Sequence, residues 1–121
     1  MTLEECYTAL GGDYQDVLGR LRSEKLVSKF LLKFLDDGSF DLLCRSMEAG
    51  DQPEAFRAAH TIKGVCANMA FSALLESSSQ LTELLRVGDM GDQAQELFQR
   101  VKADYAKTAQ AIQAFREEAG G

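Results

Sequence analysis

The residue of this 121-residue chain best equipped for chemistry is its single histidine, His60, and the residues around it are unusual for a solvated surface. Phe56 and Gly64 stand four residues to either side, Arg57 and Lys63 three to either side, and Ala67 follows one turn beyond Lys63. In a helix, three- and four-residue steps return to the same side, so these positions share a face. With about 100° of turn per residue, Ala55, Ala58, Ala59, Ile62, Val65, Cys66 and Met69 fall in an arc of roughly 120°, the width of a core-facing stripe. His60 lies nearly opposite its centre, so the imidazole is predicted to face outward and not to be a satisfied core histidine. A glycine inside a helix costs about 1 kcal/mol relative to alanine, so Gly64 predicts that something approaches the backbone closely beside the ring. A docking partner explains an outward glycine beside Phe56 and Ala67 better than internal helix crowding does. Lys63 and Arg57 would attract or hold an anion at the imidazole.

Other chemistries fit the residues poorly. A di-iron bundle needs paired Glu-x-x-His motifs, yet Arg57 stands three before His60 and there is no second histidine. A Cys-His nucleophile pair is disfavoured because Cys66 falls in the core stripe while His60 faces away from it. Cys6, Cys44 and Cys66 lack the Cys-x-x-Cys spacing of a zinc or redox site and read as reduced, structural thiols. Gly11-Gly12 and Gly120-Gly121 lack the Gly-Lys-Ser/Thr ending of a phosphate loop, so the chain is not expected to bind ATP by that route or to be a kinase by itself. No metal site and no cofactor of its own are expected.

The elements that must position His60 are helical throughout. Residues 2–10 predict a short helix that stops at Gly11-Gly12, and residues 13–22 a second, turn-rich segment. From Ser23, Leu26, Val27, Phe30, Leu31, Phe34 and Leu35 recur at three- and four-residue steps to about residue 36. Asp36-Asp37-Gly38 breaks that helix, and Ser39 is placed as the cap of the next, whose stripe is Phe40, Leu43, Cys44 and Met47 up to Gly50. Asp51, Pro53 and Glu54 form a capping-box start for the helix that carries His60, which ends near Asn68. After a joint at Ala70 to Ser72, Leu74, Leu75, Ser78, Leu81, Leu84 and Leu85 define another helix closed by Gly88-Asp89. The last starts at Asp92, with Gln95 in the capping position, and runs through Leu97, Phe98, Val101, Tyr105, Thr108, Ile112 and Phe115 to the polar end. The fold class is all-α: an up-and-down antiparallel four-helix bundle with additional short N-terminal helices. One domain is expected over 1–121, with N-terminal turns at 1–22 and the main bundle at 23–118.

The string from Ala59 to Met69, Ala-His-Thr-Ile-Lys-Gly-Val-Cys-Ala-Asn-Met, resembles the signature of histidine-containing phosphotransfer (HPt) domains, His-x-x-Lys-Gly followed by small residues and a Leu or Met. The resemblance covers the chain from about residue 23. Ala70 departs from it, since family members usually carry Gly at that joint. The resemblance implies that His60 is the phosphoacceptor, exchanging a phosphoryl group with the aspartate of a response-regulator receiver domain, and that a hybrid histidine kinase stands upstream. It casts Lys63 as the cation that stabilises the phosphoryl group, Gly64 as the cleared approach, and Phe56, Arg57 and Ala67 as docking rim. The chemistry agrees: a neutral imidazole has a lone pair for in-line attack, and phosphoryl transfer rests on alignment and charge neutralisation. Mg²⁺ is expected from the receiver partner. The alternative is a noncatalytic helical adaptor that binds a protein through the face around His60.

Composition sets the outer bounds. With 45% hydrophobic and 26% charged residues the chain matches a globular protein with a real core. One Pro and no Trp, with abundant Ala, Leu, Glu and Gln, favour helix. A net charge of −6 argues against nucleic acid and anionic membranes as partners. The acidic start is unlike a secretory signal and no apolar run spans a bilayer, so a cytoplasmic protein is expected, as a monomer. Met1 favours a complete small protein.

Overall fold

The computed structural model describes residues Met1 to Gly120, and among them the chain is helical with short joints. Helix α1 spans Leu3–Leu10, α2 Tyr14–Leu21, α3 Glu24–Phe34, α4 Ser39–Ala49, α5 Gln52–Met69, α6 Ser72–Arg86 and α7 Asp92–Gly120. The starts are set by side chains that satisfy the open amides of each first turn. Thr2 and Glu5 form a reciprocal capping box on α1, Asp13 caps α2, and Ser23 caps α3.

One start differs from the sequence expectation. Ser39 is the first residue of α4 and not its cap. Asp37 instead accepts from the Ser39 amide at 2.8 Å, the carboxylate of the preceding break doing the capping work. Helix α7 starts at Asp92 as expected, with the turn before it held by Asp89, which accepts from the Gly91 amide at 2.8 Å, and with Gln95 donating to the Met90 carbonyl. At α5, Asp51 accepts from the Glu54 amide as expected, but the Glu54 carboxylate turns to Arg57, so the box is only half closed.

Helices α4, α5, α6 and α7 follow one another up and down as neighbours and make the four-helix bundle. The ring closes where Phe40 of α4 stacks on Tyr105 of α7, centroids 3.9 Å apart and planes within 5°. From there an aromatic series runs through Phe34 and Phe71 to Tyr7, with steps of 5.6, 5.1 and 5.8 Å, tying α3 and α1 to the bundle interior. Offset and tilted pairs of this kind add to the burial of the rings themselves. The 29 residues of α7 exceed the reach of its partners, and α1 fills the vacant place beside its C-terminal half. There Cys6 Sγ donates to the Ala111 carbonyl at 3.6 Å, and the Met1 ammonium meets Glu118 at 2.7 Å.

The joint between α5 and α6 is the least ordinary piece of backbone. Ala70 ends α5 in the left-handed region, φ 56° and ψ 41°, a conformation that costs a residue with a Cβ about 1–2 kcal/mol. The turn forms without the glycine that the resembled family usually has there. Its surroundings hold it: the Asp13 amide donates to the Ala70 carbonyl at 2.9 Å, Ala73 N donates to the Gly11 carbonyl at 3.0 Å, and the buried Tyr7 hydroxyl donates to the Met69 carbonyl at 2.9 Å. Gly12 sits so close that a Cβ there would lie 2.7 Å from the Ala70 oxygen.

The core stripe read from α5 is buried except at Val65, which is half-buried. In α3 the expected stripe is too wide: Leu26 and Phe30 are 39% and 38% exposed, because α3 touches the bundle only slightly and buries only Val27, Leu31 and Phe34.

Candidate functional site

His60 occupies the middle of α5, and both ends of that helix are fastened. At its start the Gln52 side-chain amide donates to the Leu85 carbonyl of α6 at 2.6 Å, and at its end Tyr7 holds the Met69 carbonyl. Ala55, Ala58, Ala59, Ile62, Cys66 and Met69 bury the opposite face. The imidazole is exposed, as the helical wheel places it.

Around it, Arg57 and Gly64 are exposed, while Phe56, Lys63 and Ala67 are half-buried. The Phe56 and His60 rings lie nearly parallel, 15° apart with centroids at 5.9 Å, so the phenyl group limits the directions open to the imidazole. A Cβ added at Gly64 would meet nothing within 4 Å. Gly64 therefore serves no internal helix crossing, and the space above the backbone next to His60 is open to an incoming group. Arg57 is engaged by Glu54 at 2.8 Å, one turn toward the start of α5.

Two residues of the site come from α6 and were not anticipated from the sequence. The Arg86 guanidinium lies over the Phe56 ring, 5.0 Å from its centroid, and Glu83 stands between the cations, 3.4 Å from Arg86 Nε and 3.9 Å from Lys63 Nζ. The signal for them was the short joint at Ala70: folding α6 back along α5 brings residues about equally distant from the joint to the same level, which places Arg86 beside Phe56. A groove of about 710 Å³ also opens between α2, α3 and α5, with an apolar lining of Leu21, Phe30, Phe34, Val65 and Met69, Asn68 beside them, and Arg20, Lys33, Asp36 and Asp37 as charged lining residues. Asn68 stands two turns beyond His60 and about 80° round the helix, so the groove opens on the flank of α5 next to the imidazole face.

The thiols take no part. Cys66 is buried on the opposite side of α5, and burial pushes its pKa up to about 12, which keeps it protonated and inert.

The molecule is thus an all-helical bundle with an outward histidine and, one turn on, a lysine and an open glycine. Residues 25–118 match the sequence profile of the Hpt domain, and the chain belongs to that family. Helices α1 and α2 lie outside the matched stretch. No curated protein and no solved structure shows significant similarity to the chain. Hpt domains are histidine phosphotransfer carriers of phosphorelays and are not kinases themselves; they interact with receiver domains and kinases of two-component systems. No helix among the described residues is long and apolar enough to cross a membrane.

Proposed function

We propose that this protein carries a phosphoryl group on His60, taking it from the aspartyl phosphate of one receiver domain and passing it to the aspartate of another. The observation that carries the reading is the exposed imidazole above the unobstructed Gly64 backbone, on a helix fastened at both ends. A ring nitrogen attacks phosphorus in line, the acyl O–P bond breaks, and the receiver's carboxylate leaves. The N–P bond forms as the other ring nitrogen releases its proton. Lys63 neutralises the phosphoryl oxygens, and Phe56 fixes the ring's heading.

The receiver docks over Gly64 and Ala67, reaches the rim at Phe56 and Arg57, and extends toward the apolar groove beyond Asn68. Glu54 and Glu83 are each paired with cations of this chain. The Mg²⁺ of the transfer belongs to the receiver. The protein works as a cytoplasmic monomer, with a hybrid histidine kinase as the source of phosphoryl groups.

The test is incubation with a panel of ³²P-phosphorylated receiver domains. Label that is acid-labile, stable in base and lost in His60→Gln supports the reading. Binding of a receiver with no transfer would instead make the face an adaptor surface.

A further inference from the structure

Lys63, the cation one turn beyond His60, already has a partner. Glu83 reaches across from α6 to within 3.9 Å of Lys63 Nζ and is also 3.4 Å from Arg86 Nε. Arg86 in turn covers the Phe56 ring, which parallels the His60 imidazole. One carboxylate thus stands between two cations on the rim of the site. Both ion pairs are long and lie at the surface, with Lys63 half-buried, the kind that contributes little to stability and exchanges readily. A better-matched anion would displace it.

We propose that Glu83 is a positioning residue that parks Lys63 and Arg86 while His60 is bare and yields them when a phosphoryl group arrives. This rests on the phosphocarrier reading above. A phosphoryl group brings up to two negative charges and three acceptor oxygens, against one charge on Glu83, so the cations transfer to it. Glu83 then stands near the new anion with its own charge no longer compensated. Its presence makes the phosphorylated state less favourable than the two cations alone would make it. The carrier is held in the middle of the scale, able to accept the group and to give it up. No covalent step is added; only the partners of Lys63 and Arg86 change.

The experiment phosphorylates the full chain directly with phosphoramidate, so that receiver docking plays no part, and follows the extent of labelling and the half-life of phosphohistidine. Glu83→Gln keeps the side chain's size and removes its charge. The expected result is a gain of about two- to fivefold in extent or half-life at low salt, shrinking in 0.5 M salt because exposed charges are screened. The gain is expected to shrink in a Lys63→Ala, Arg86→Ala background, where no cation is parked and only direct repulsion between Glu83 and the phosphoryl group is left to relieve. Labelled protein that is indifferent to Glu83→Gln overturns the proposal, as does an equal gain in the background without the cations. Wild-type protein that takes no label at His60 overturns the phosphocarrier reading itself, which separates the two failures.

Discussion

Replacing Gly64 separates the needs of the helix from those of the partner, because the two respond in opposite directions. A Cβ at this position meets nothing within 4 Å, so Gly64→Ala introduces no overlap and removes the conformational penalty of glycine in a helix interior. The gain is about 1 kcal/mol, which for a domain of this size raises Tm by about 3–6 °C. Gly64→Gln keeps roughly half of that gain and adds a long side chain one turn from the phosphoacceptor. Misplacement of a reacting group by about 1 Å costs on the order of 100-fold in rate, so transfer from a receiver falls about tenfold for alanine and about 100-fold or more for glutamine. Phosphoramidate, which needs no docked protein, labels His60 in both variants at close to the wild-type rate. Thermal unfolding beside single-turnover transfer measures both effects on the same samples. A lower Tm for Gly64→Ala would refute the open-face geometry, and undiminished receiver transfer in Gly64→Gln would refute the docking argument.

His60→Gln is expected to lose all acid-labile label while Tm stays within about 2 °C, since an exposed side chain supports little of the core; label that persists would move the site elsewhere. Lys63→Ala slows receiver transfer by about tenfold in single-turnover assays with receiver affinity retained, because charge neutralisation and shape recognition come from different residues; unchanged kinetics would reduce Lys63 to a surface charge. Gly12→Ala drives a methyl group against the Ala70 carbonyl, Leu10 and Tyr7 at 2.7–2.8 Å and is expected to cost about 1–3 kcal/mol in urea unfolding; an unaltered midpoint would mean that the α1–α2 joint has room to give. Burial raises the Cys66 thiol from an ordinary value near 9 to about 12, so its contribution is intact below pH 9 and is lost as pH climbs toward 12. Stability should fall by about 1.4 kcal/mol per pH unit from this thiol across that interval, and Cys66→Ala should flatten the decline between pH 9 and 11 in urea titrations.

The helices and the outward setting of His60 were legible in the sequence because they depend on local periodicity. The apolar run of the His60 helix has one register, and that register leaves His60 on the far side. What depended on the packing of one helix against another was not legible. Leu26 and Phe30 satisfy the helical pattern of α3 as well as Val27 and Leu31 do, and only the slight contact of α3 with the bundle exposes them. Ser39 is a good cap by type, yet Gly38 takes the cap position and the Asp37 carboxylate receives the Ser39 amide, which depends on where the chain bends after Phe34. Ala70 takes a left-handed turn that its own side chain disfavours, because contacts from Asp13 and Tyr7, more than fifty residues away, hold that end of the site helix. Arg86 and Glu83 reach the site only through the fold-back of α6, so no motif around His60 announces them.

The salt bridge from the Met1 ammonium to Glu118 brings the first residue beside the last turns of α7. A polypeptide joined to either end, or to both, would therefore leave from a single corner of the bundle, and that corner is made by α1 and α7, while the phosphoacceptor face is made by α5 and α6. Neighbouring termini are the geometry that tolerates insertion and circular permutation. The fold is in this sense a cartridge: both ends of the chain meet at one socket, built by helices other than the two that carry His60 and Arg86.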